Sequence, residues 1–227
     1  MNDHGTRAAM TEALLDTLPL SHRLALSYAP ARARDTVLGL MALDMRLAGI
    51  LAGDGEPMIA QIKLAWWRDR LSEDTSDWPT GEPLLALLST FPGDLKRLIP
   101  LVDGYETLLG EAFDRPALAT YLRGKSQAWA AVADGVGDDS TLAPVEQAAK
   151  EVALHDLANR LSEESELALV KQSLQKQLWR RAALSRSMRS LAVLHALCKR
   201  ARNKDQAELL DGPGAMIAAM RVGITGR

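Results

Sequence analysis

The chain has 227 residues, of which 47% are hydrophobic and 4% aromatic, and its formal net charge at pH 7 is −2. This balance of charge argues against a nucleic-acid partner or an acidic substrate for the protein as a whole, and the single cysteine, Cys198, excludes an internal disulfide. No stretch is long and apolar enough to predict a membrane-spanning helix, and the N-terminus lacks the pattern of a secretory signal, so we expect a cytoplasmic protein.

The composition predicts an all-α protein that forms one domain over residues 1–227. Alanine and leucine, which favour helices, are abundant, and there is no run of alternating β-branched residues. In chain order, we predict a short helix around Met10–Thr17, followed by a second that has Ser21 as its N-cap and ends near Tyr28.

The next stretch, residues 28–67, holds the helix around which the others are expected to pack. Val37–Leu51 is nearly all apolar, and its only charged residues are Asp44 and Arg46. A helix that is apolar on every side is typical of the middle of a bundle. A Gly-Asp-Gly sequence then predicts a turn, and a second helix is predicted as far as about Leu71. We therefore expect a buried hairpin of two helices.

The rest of the chain is predicted to be helical, with polar loops that contain proline and glycine between the helices. The predicted helical segments are residues 83–91, 94–113 with a kink at Pro100, 116–134, 144–161, 167–204 with one break near residue 176, and 215–224.

Two charged residues fall where core residues are expected. A buried carboxylate such as Asp44 is costly unless it is paired or protonated, so we expect it either to bond an arginine or a helix end, or to face a cavity. Lys125 shares a helical stripe with Leu122 and Trp129. We expect its side chain to pass along the apolar surface to solvent; if it faces a cavity instead, it suits an anionic ligand such as a diphosphate.

The pair Trp66-Trp67 is expected to place one ring in the core, because adjacent helical positions point about 100° apart. Lys63 lies four residues before Trp67, a spacing that predicts a cation–π contact.

A basic region occupies the second half of the chain. Between Leu167 and Lys204 there are ten Lys or Arg residues and no Asp or Glu. This segment is either a solvated helical face or, in a sharper hypothesis, a surface on the helix 176–204 for anionic lipid or an acidic protein partner.

Several signatures of catalysis are missing from the sequence. It has no Gly-rich phosphate loop, no nucleophile elbow and no ligand spacing among its four histidines. The sequence therefore identifies no catalytic residue and no metal site, and it predicts no cofactor.

Five parts of the sequence nevertheless resemble the squalene/phytoene synthase family, the head-to-head isoprenyl diphosphate synthases. They are Ser27-Tyr28-Ala29-Pro30 followed by Arg32 or Arg34, Leu40-Met41-Ala42-Leu43, residues 61–68 (QIKLAWWR), residues 121–133 (YLRGKSQAWAAVA), and the tail formed by residues 189–200 and 216–227. The resemblance implies an isoprenoid-synthase-like helical bundle around a central apolar cavity. Carried onto this sequence, it suggests as cavity-lining candidates Tyr28, Arg34, Asp44, Lys63, Trp67, Tyr121 and Lys125.

This sequence departs from the family where the metal is held. Active members use two Asp-rich motifs to bind Mg²⁺, which neutralises the substrate diphosphate. Here Ala48 and Ala52 stand at the first motif, and Arg160 and Glu164 at the second. The chain therefore resembles a divergent, Asp-poor branch that includes the mitochondrial complex I assembly factor.

The resemblance leads us to expect a protein without the usual Mg²⁺-dependent chemistry. It would bind a lipid or isoprenoid, or assist assembly of a membrane-associated complex, and would lie in the cytoplasm or peripheral to a membrane. One alternative is an active prenyl transferase with rearranged carboxylates (Asp44, Asp54 or Glu56), which would use Mg²⁺ as its cofactor and predicts two acidic side chains facing each other across a cavity. Another is a helical interaction module with a filled core.

Overall fold

A computed structural model describes residues 3–53, 56–110, 113–138, 141–204 and 206–226, with side chains from residue 9 onward. All regular structure in these ranges is helical, which confirms the all-α class. The described part of the chain forms α1 (Asp3–Asp16), α2 (Leu20–Ser27), α3 (Ala31–Ala52), α4 (Pro57–Ser72), α5 (Pro83–Leu88), α6 (Ile99–Glu106), α7 (Arg115–Gly135), α8 (Leu142–Ala158), α9 (Glu164–Lys176), α10 (Arg189–Asn203) and α11 (Pro213–Thr225).

Helix α3 is the centre of the bundle, as its apolar sequence predicts. Every residue from Val37 to Leu43 is buried, and the helix contacts α1, α2, α4, α5, α6 and α7. Pro30 precedes its first turn, and the helix ends at Ala52. The Asp54 and Gly55 part of the predicted turn, and with it one carboxylate of the prenyl transferase alternative, lies outside the described residues.

The second helix of the predicted hairpin lies at the surface. Helix α4 buries one stripe, formed by Ala60, Leu64, Trp67 and Leu71. On its other side Met58, Ile59, Ile62 and Trp66 are exposed. The prediction that both helices of the hairpin are buried is therefore wrong for α4. Only one stripe of this helix faces the core, and its remaining apolar side chains are exposed.

Helices α6 and α7 cross at backbone contact because each has a glycine at the crossing. A Cβ on Gly124 would lie 2.1 Å from the carbonyl oxygen of Pro100, and one on Gly104 would lie 3.0 Å from the Cα of Tyr121. Tyr105 and Lys125 each follow one of these glycines directly, so the close crossing brings their side chains together.

Several predicted boundaries differ from the structure, and three of these differences involve a proline. Pro100 lies in the first turn of α6 instead of kinking a longer helix, which fits a residue that lacks an N–H. Helix α2 begins after Pro19, so Ser21 is inside it and does not cap it. The last helix begins at Pro213, two residues before the predicted start.

The prediction of a basic helix over residues 176–204 is wrong in its first half. Residues 177–188, which we call the strap, are not helical and connect α9 to α10. Trp179 has a φ of +45°, which no α-helix accepts. Its ring stacks on His195 at 5.6 Å, and its backbone N–H donates to Glu151 Oε1 at 3.3 Å. These contacts hold Trp179 against α8 and α10 in a backbone conformation that is incompatible with a continuous helix.

Two further predictions from the sequence concern membrane-spanning helices and the single cysteine. None of the described helices is long and apolar enough to cross a membrane. Cys198 is buried in α10, and this burial raises the pKa of its thiol.

Candidate functional site

Asp44 and Lys125 form an ion pair in the middle of the bundle. The Lys125 Nζ lies 2.6 Å from both carboxylate oxygens of Asp44, and the Tyr105 hydroxyl donates to Asp44 Oδ1 at 2.8 Å. Asp44 is therefore the satisfied core acid that the sequence suggests, although its partner is a lysine and not an arginine or a helix end. The expectation that Lys125 reaches solvent is wrong, because its side chain is only 7% exposed and turns toward Asp44.

Two tyrosines form aromatic walls around the ammonium group. Tyr105 and Tyr121 meet edge to face with ring centroids 5.5 Å apart, and Lys125 Nζ lies 5.3 and 5.4 Å from their centroids. Burial raises the pKa of Tyr121 to about 12 and that of Tyr105 well above its usual 10. Both hydroxyls therefore stay neutral at physiological pH, and the rings stabilise the lysine through cation–π contact.

The ion pair is charged at neutral pH. Burial alone would raise the pKa of Asp44, but the charge and hydrogen bonds of Lys125 outweigh it and hold that pKa below its usual value. Burial would lower the pKa of Lys125, and the Asp44 carboxylate reverses this shift and raises it. Each partner thus keeps the other ionised, as expected for opposite charges in direct contact.

A small cavity adjoins the pair. Its volume is about 30 Å³, and its polar lining consists of His22, Asp44, Lys125 and Asp156. Such a volume holds one or two water molecules and not the chain of an isoprenoid. Burial lowers the pKa of His22, so its imidazole is neutral near pH 7, and Asp156 is paired with Arg160 at 2.9 Å. The centre of the bundle is therefore nearly filled and balanced in charge.

These residues do not fit a Mg²⁺ ion. Both oxygens of Asp44 already face the Lys125 ammonium, and Asp156 is bound by Arg160. Ala48, one turn after Asp44, is buried and offers no ligand. Within the described ranges, no group of three or more His, Cys, Asp or Glu side chains could hold a metal ion.

A larger opening is a surface groove between α1, α3, α4 and α5, which we call the tryptophan groove. Its volume is about 660 Å³. Apolar side chains form most of its walls, and two cations, Arg46 and Lys63, also line it. The apolar lining includes Leu14, Met45, Ile50, Ile62, Trp66, Trp67 and Leu84.

The two tryptophans divide as predicted between the core and the surface. Trp67 is buried and Trp66 is 37% exposed, and their rings meet edge to face at 5.1 Å. The cation over the Trp67 ring is Arg46, at 6.0 Å, and not Lys63 as the spacing predicts. Arg46 reaches this position because Glu82 holds its guanidinium at 3.0 Å.

The seven candidates from the sequence separate into different places. Asp44, Tyr121 and Lys125 meet at the centre, and Lys63 and Trp67 line the tryptophan groove. The ring of Tyr28 packs against Gly223 of α11, and Arg34 is exposed near the start of α3. These two neither join the ion pair nor line the groove.

Sequence reasoning missed two sets of polar residues. Tyr105 bonds Asp44, and Arg160 bonds Asp156 beside the central cavity. Of these, the sequence alone singles out only Asp44 and Arg160, the latter because it stands at the second Asp-rich motif of the family. Glu151 and His195 form a second buried pair at 2.5 Å, with the Trp179 ring stacked on the imidazole. The available signal was the one that singled out Asp44, a charged or polar residue within an apolar stretch.

No protein-family model, curated protein or solved structure matches this chain. The resemblance to squalene/phytoene synthases therefore depends on residues of this sequence alone.

Proposed function

We propose that this protein binds an amphiphile, an isoprenoid or lipid with one anionic headgroup, and that it does so without catalysing prenyl transfer. The observation that carries the proposal is the contrast between the cavity at the centre and the tryptophan groove. The cavity at the centre is about 30 Å³, whereas the tryptophan groove is about 660 Å³ and combines apolar walls with cations.

The size and lining of the tryptophan groove suit an apolar chain. Sites for small molecules commonly have volumes of roughly 300–1,000 Å³ and are mostly apolar, with few polar groups to fix orientation. Ile62 is 60% exposed and Trp66 is 37% exposed. A bound chain would remove this apolar surface from water, which is the main source of affinity for such ligands.

Charge indicates where the headgroup would lie. Arg46 is already paired with Glu82, so its charge is largely compensated. Lys63 is exposed on α4 and lines the same groove. A phosphate or carboxylate on the ligand would therefore lie against Lys63, with the chain directed along Trp66 and Trp67.

The proposal includes descent from a squalene/phytoene synthase-like ancestor, which rests on the resemblance of the sequence segments and requires an all-helical protein. In a prenyl transferase the diphosphate leaves with metal ions bound to it. Here Lys125 compensates Asp44 and Arg160 compensates Asp156, so the carboxylates that line the centre are committed to internal pairs. Under this proposal the chemistry has been lost, and the ligand binds in the tryptophan groove at the surface instead of in a central cavity.

Calorimetry with farnesyl diphosphate and farnesol tests the proposal. We expect farnesyl diphosphate to bind equally well with and without Mg²⁺, and farnesol to bind more weakly. Lys63→Glu should weaken binding of the diphosphate about tenfold and leave farnesol unchanged, whereas Lys96→Glu, at an exposed lysine outside the groove, should change neither. If neither compound binds, the proposal is wrong and a helical interaction module is favoured.

One observation favours active prenyl transfer as a second candidate. Two carboxylates, Asp44 and Asp156, do line one cavity, which is the arrangement that this alternative predicts. It requires both internal ion pairs to open so that the carboxylates can meet a metal-bound substrate. Release of diphosphate from farnesyl diphosphate that needs Mg²⁺ and is lost in Asp44→Asn would establish this function in place of the first.

A further inference from the structure

A second surface, separate from the tryptophan groove, concentrates positive charge. An opening of about 450 Å³ between α10, α11 and the strap is lined by five cations. We call it the basic groove, and its cations are Arg181, Lys199, Arg200, Lys204 and Arg221. Among the described residues that line it there is no Asp or Glu.

Within the described residues, the cations of the basic groove lack the acidic partners that several other arginines of this protein have. Arg68, Arg70, Arg97 and Arg160 each form a salt bridge with a carboxylate. None of the five groove cations forms one with any residue in the described ranges; Arg200 bonds only the neutral Gln206, at 3.3 Å. Like charges held together without counter-charges repel one another, so an anion that binds here relieves this repulsion.

Helix α11, which forms one side of the basic groove, also presents an apolar face to solvent. It buries Ala215, Ala219 and Val222 against the bundle. On its other side Met216, Ile217, Met220 and Ile224 are 45%, 65%, 46% and 70% exposed. At about 100° per residue these four side chains cover an arc of roughly 100°.

Arg221 connects the two features. It lines the basic groove, and on the helical wheel it lies about 40° beyond Ile217, at the edge of the apolar face. The surface therefore has a wide apolar stripe bordered on one side by clustered positive charge. Helices that lie in the interface of a membrane have this pattern, with the apolar face among the acyl chains and the cations at the headgroups.

We propose that the basic groove and the apolar face of α11 together dock this protein onto a membrane surface that carries anionic lipid headgroups. A membrane satisfies both halves of the surface at once. A soluble phosphate or an acidic peptide would compensate the cations but would leave Ile217 and Ile224 in water. The docking surface shares no residue with the tryptophan groove, so it is independent of the proposed ligand.

Vesicle sedimentation of the full chain tests the proposal. Vesicles of phosphatidylcholine alone are compared with vesicles in which about one third of the lipid is phosphatidylserine. We expect binding only to the second kind. Raising the salt to about 1 M, where the Debye length falls to about 3 Å, should greatly weaken it.

Variants separate the electrostatic part from the apolar part. Lys199→Gln with Arg221→Gln removes two groove cations and should weaken binding about 25-fold, or about fivefold for each charge. Ile217→Ser with Ile224→Ser removes the most exposed part of the stripe and should weaken binding at least tenfold. Both isoleucines are exposed, so this second variant keeps the fold, as thermal unfolding by circular dichroism would show.

A charge-matched control uses two exposed cations elsewhere. Lys96→Gln with Arg123→Gln changes the net charge by the same amount and should alter binding less than twofold. Lys63→Glu should also bind the vesicles normally, which distinguishes this surface from the tryptophan groove. Equal binding to both kinds of vesicle would overturn the proposal. So would full binding by the isoleucine variant, because it would show that the apolar face of α11 takes no part in docking.

Discussion

The ion pair between Asp44 and Lys125 leads to the sharpest prediction about stability. Lys125→Met removes the ammonium and keeps a flexible side chain of similar length. Asp44→Asn removes the opposite charge and keeps an oxygen that can accept the hydrogen bond from Tyr105. The Asp44 and Lys125 side chains are 18% and 7% exposed, so either single change leaves a buried charge without its counter-ion.

The magnitude follows from the cost of such a charge. Breaking a buried pair by removing one partner costs about 3–5 kcal/mol, whereas removing both charges can be nearly neutral. We expect about that loss for each single variant and less than about 2 kcal/mol for the double variant. For a protein of this size the single variants should unfold about 6–20 °C below the parent.

Urea unfolding at pH 7 measures the free energies, and a double-mutant cycle isolates the coupling between the two residues. Asp16→Asn is the matched control, because the pair of Asp16 with Arg23 is 3.4 Å long and its side chains are 72% and 44% exposed. An exposed pair of this kind contributes about 0–1 kcal/mol at most.

The pH dependence of the Lys125→Met variant provides a second readout. Lys125 is what keeps the pKa of Asp44 low against the effect of burial. Without Lys125, burial raises the pKa of Asp44 above its value in the unfolded chain. The protonated carboxyl then stabilises the folded state at low pH, and this stabilisation is lost as the pH rises through the folded pKa. The deficit of the variant should therefore shrink as the pH falls toward about 4. Single losses below about 1 kcal/mol that add up in the double variant would refute this account of the centre.

Two further predictions concern the helix crossing and the titration of buried groups. Gly124→Ala should lower the free energy of unfolding in urea by about 1–3 kcal/mol, because its Cβ would lie 2.1 Å from the Pro100 carbonyl oxygen. Gly49→Ala, in α3, should instead raise the free energy of unfolding by about 0.5–1 kcal/mol, because no atom lies within 4 Å of its Cβ. Equal effects of the two substitutions would contradict the close crossing of α6 and α7. Burial lowers the pKa values of His22 and His155, so their neutral forms are favoured in the folded state, and the free energy of unfolding should decrease as the pH falls below about 6.5. A His22→Gln and His155→Gln double variant should lose this slope, and an unchanged slope would mean that other groups cause it.

The sequence predicts well those features that depend on neighbours along the chain. The continuous apolar stretch that includes Val37–Leu43 was sufficient to place α3 in the middle of the bundle. Pro57 and Pro83 mark the starts of α4 and α5 as expected of prolines in a first turn. Such signals are local, because caps and periodicity act within a few residues.

Features that depend on distant partners could not be predicted in the same way. Lys125 contacts Asp44, which lies 81 positions earlier in the chain, and no residue near Lys125 in the sequence indicates that its side chain pairs with a carboxylate. The same is true of Trp179, whose contacts with Glu151 and His195 prevent the strap from continuing as a helix. From the sequence alone, Gly124 is only a glycine that lowers the stability of a helix. The structure shows that the Pro100 carbonyl oxygen leaves no room for a side chain at this position.

The single cysteine has a practical consequence for spectroscopy. Cys198 is 1% exposed and burial raises the pKa of its thiol, so it should react slowly with maleimides and other thiol reagents. A second cysteine placed at an exposed position such as Ile217 or Lys96 can then be labelled selectively without removing the native residue. A polarity-sensitive fluorophore at each position would report directly which side of the molecule enters an apolar phase.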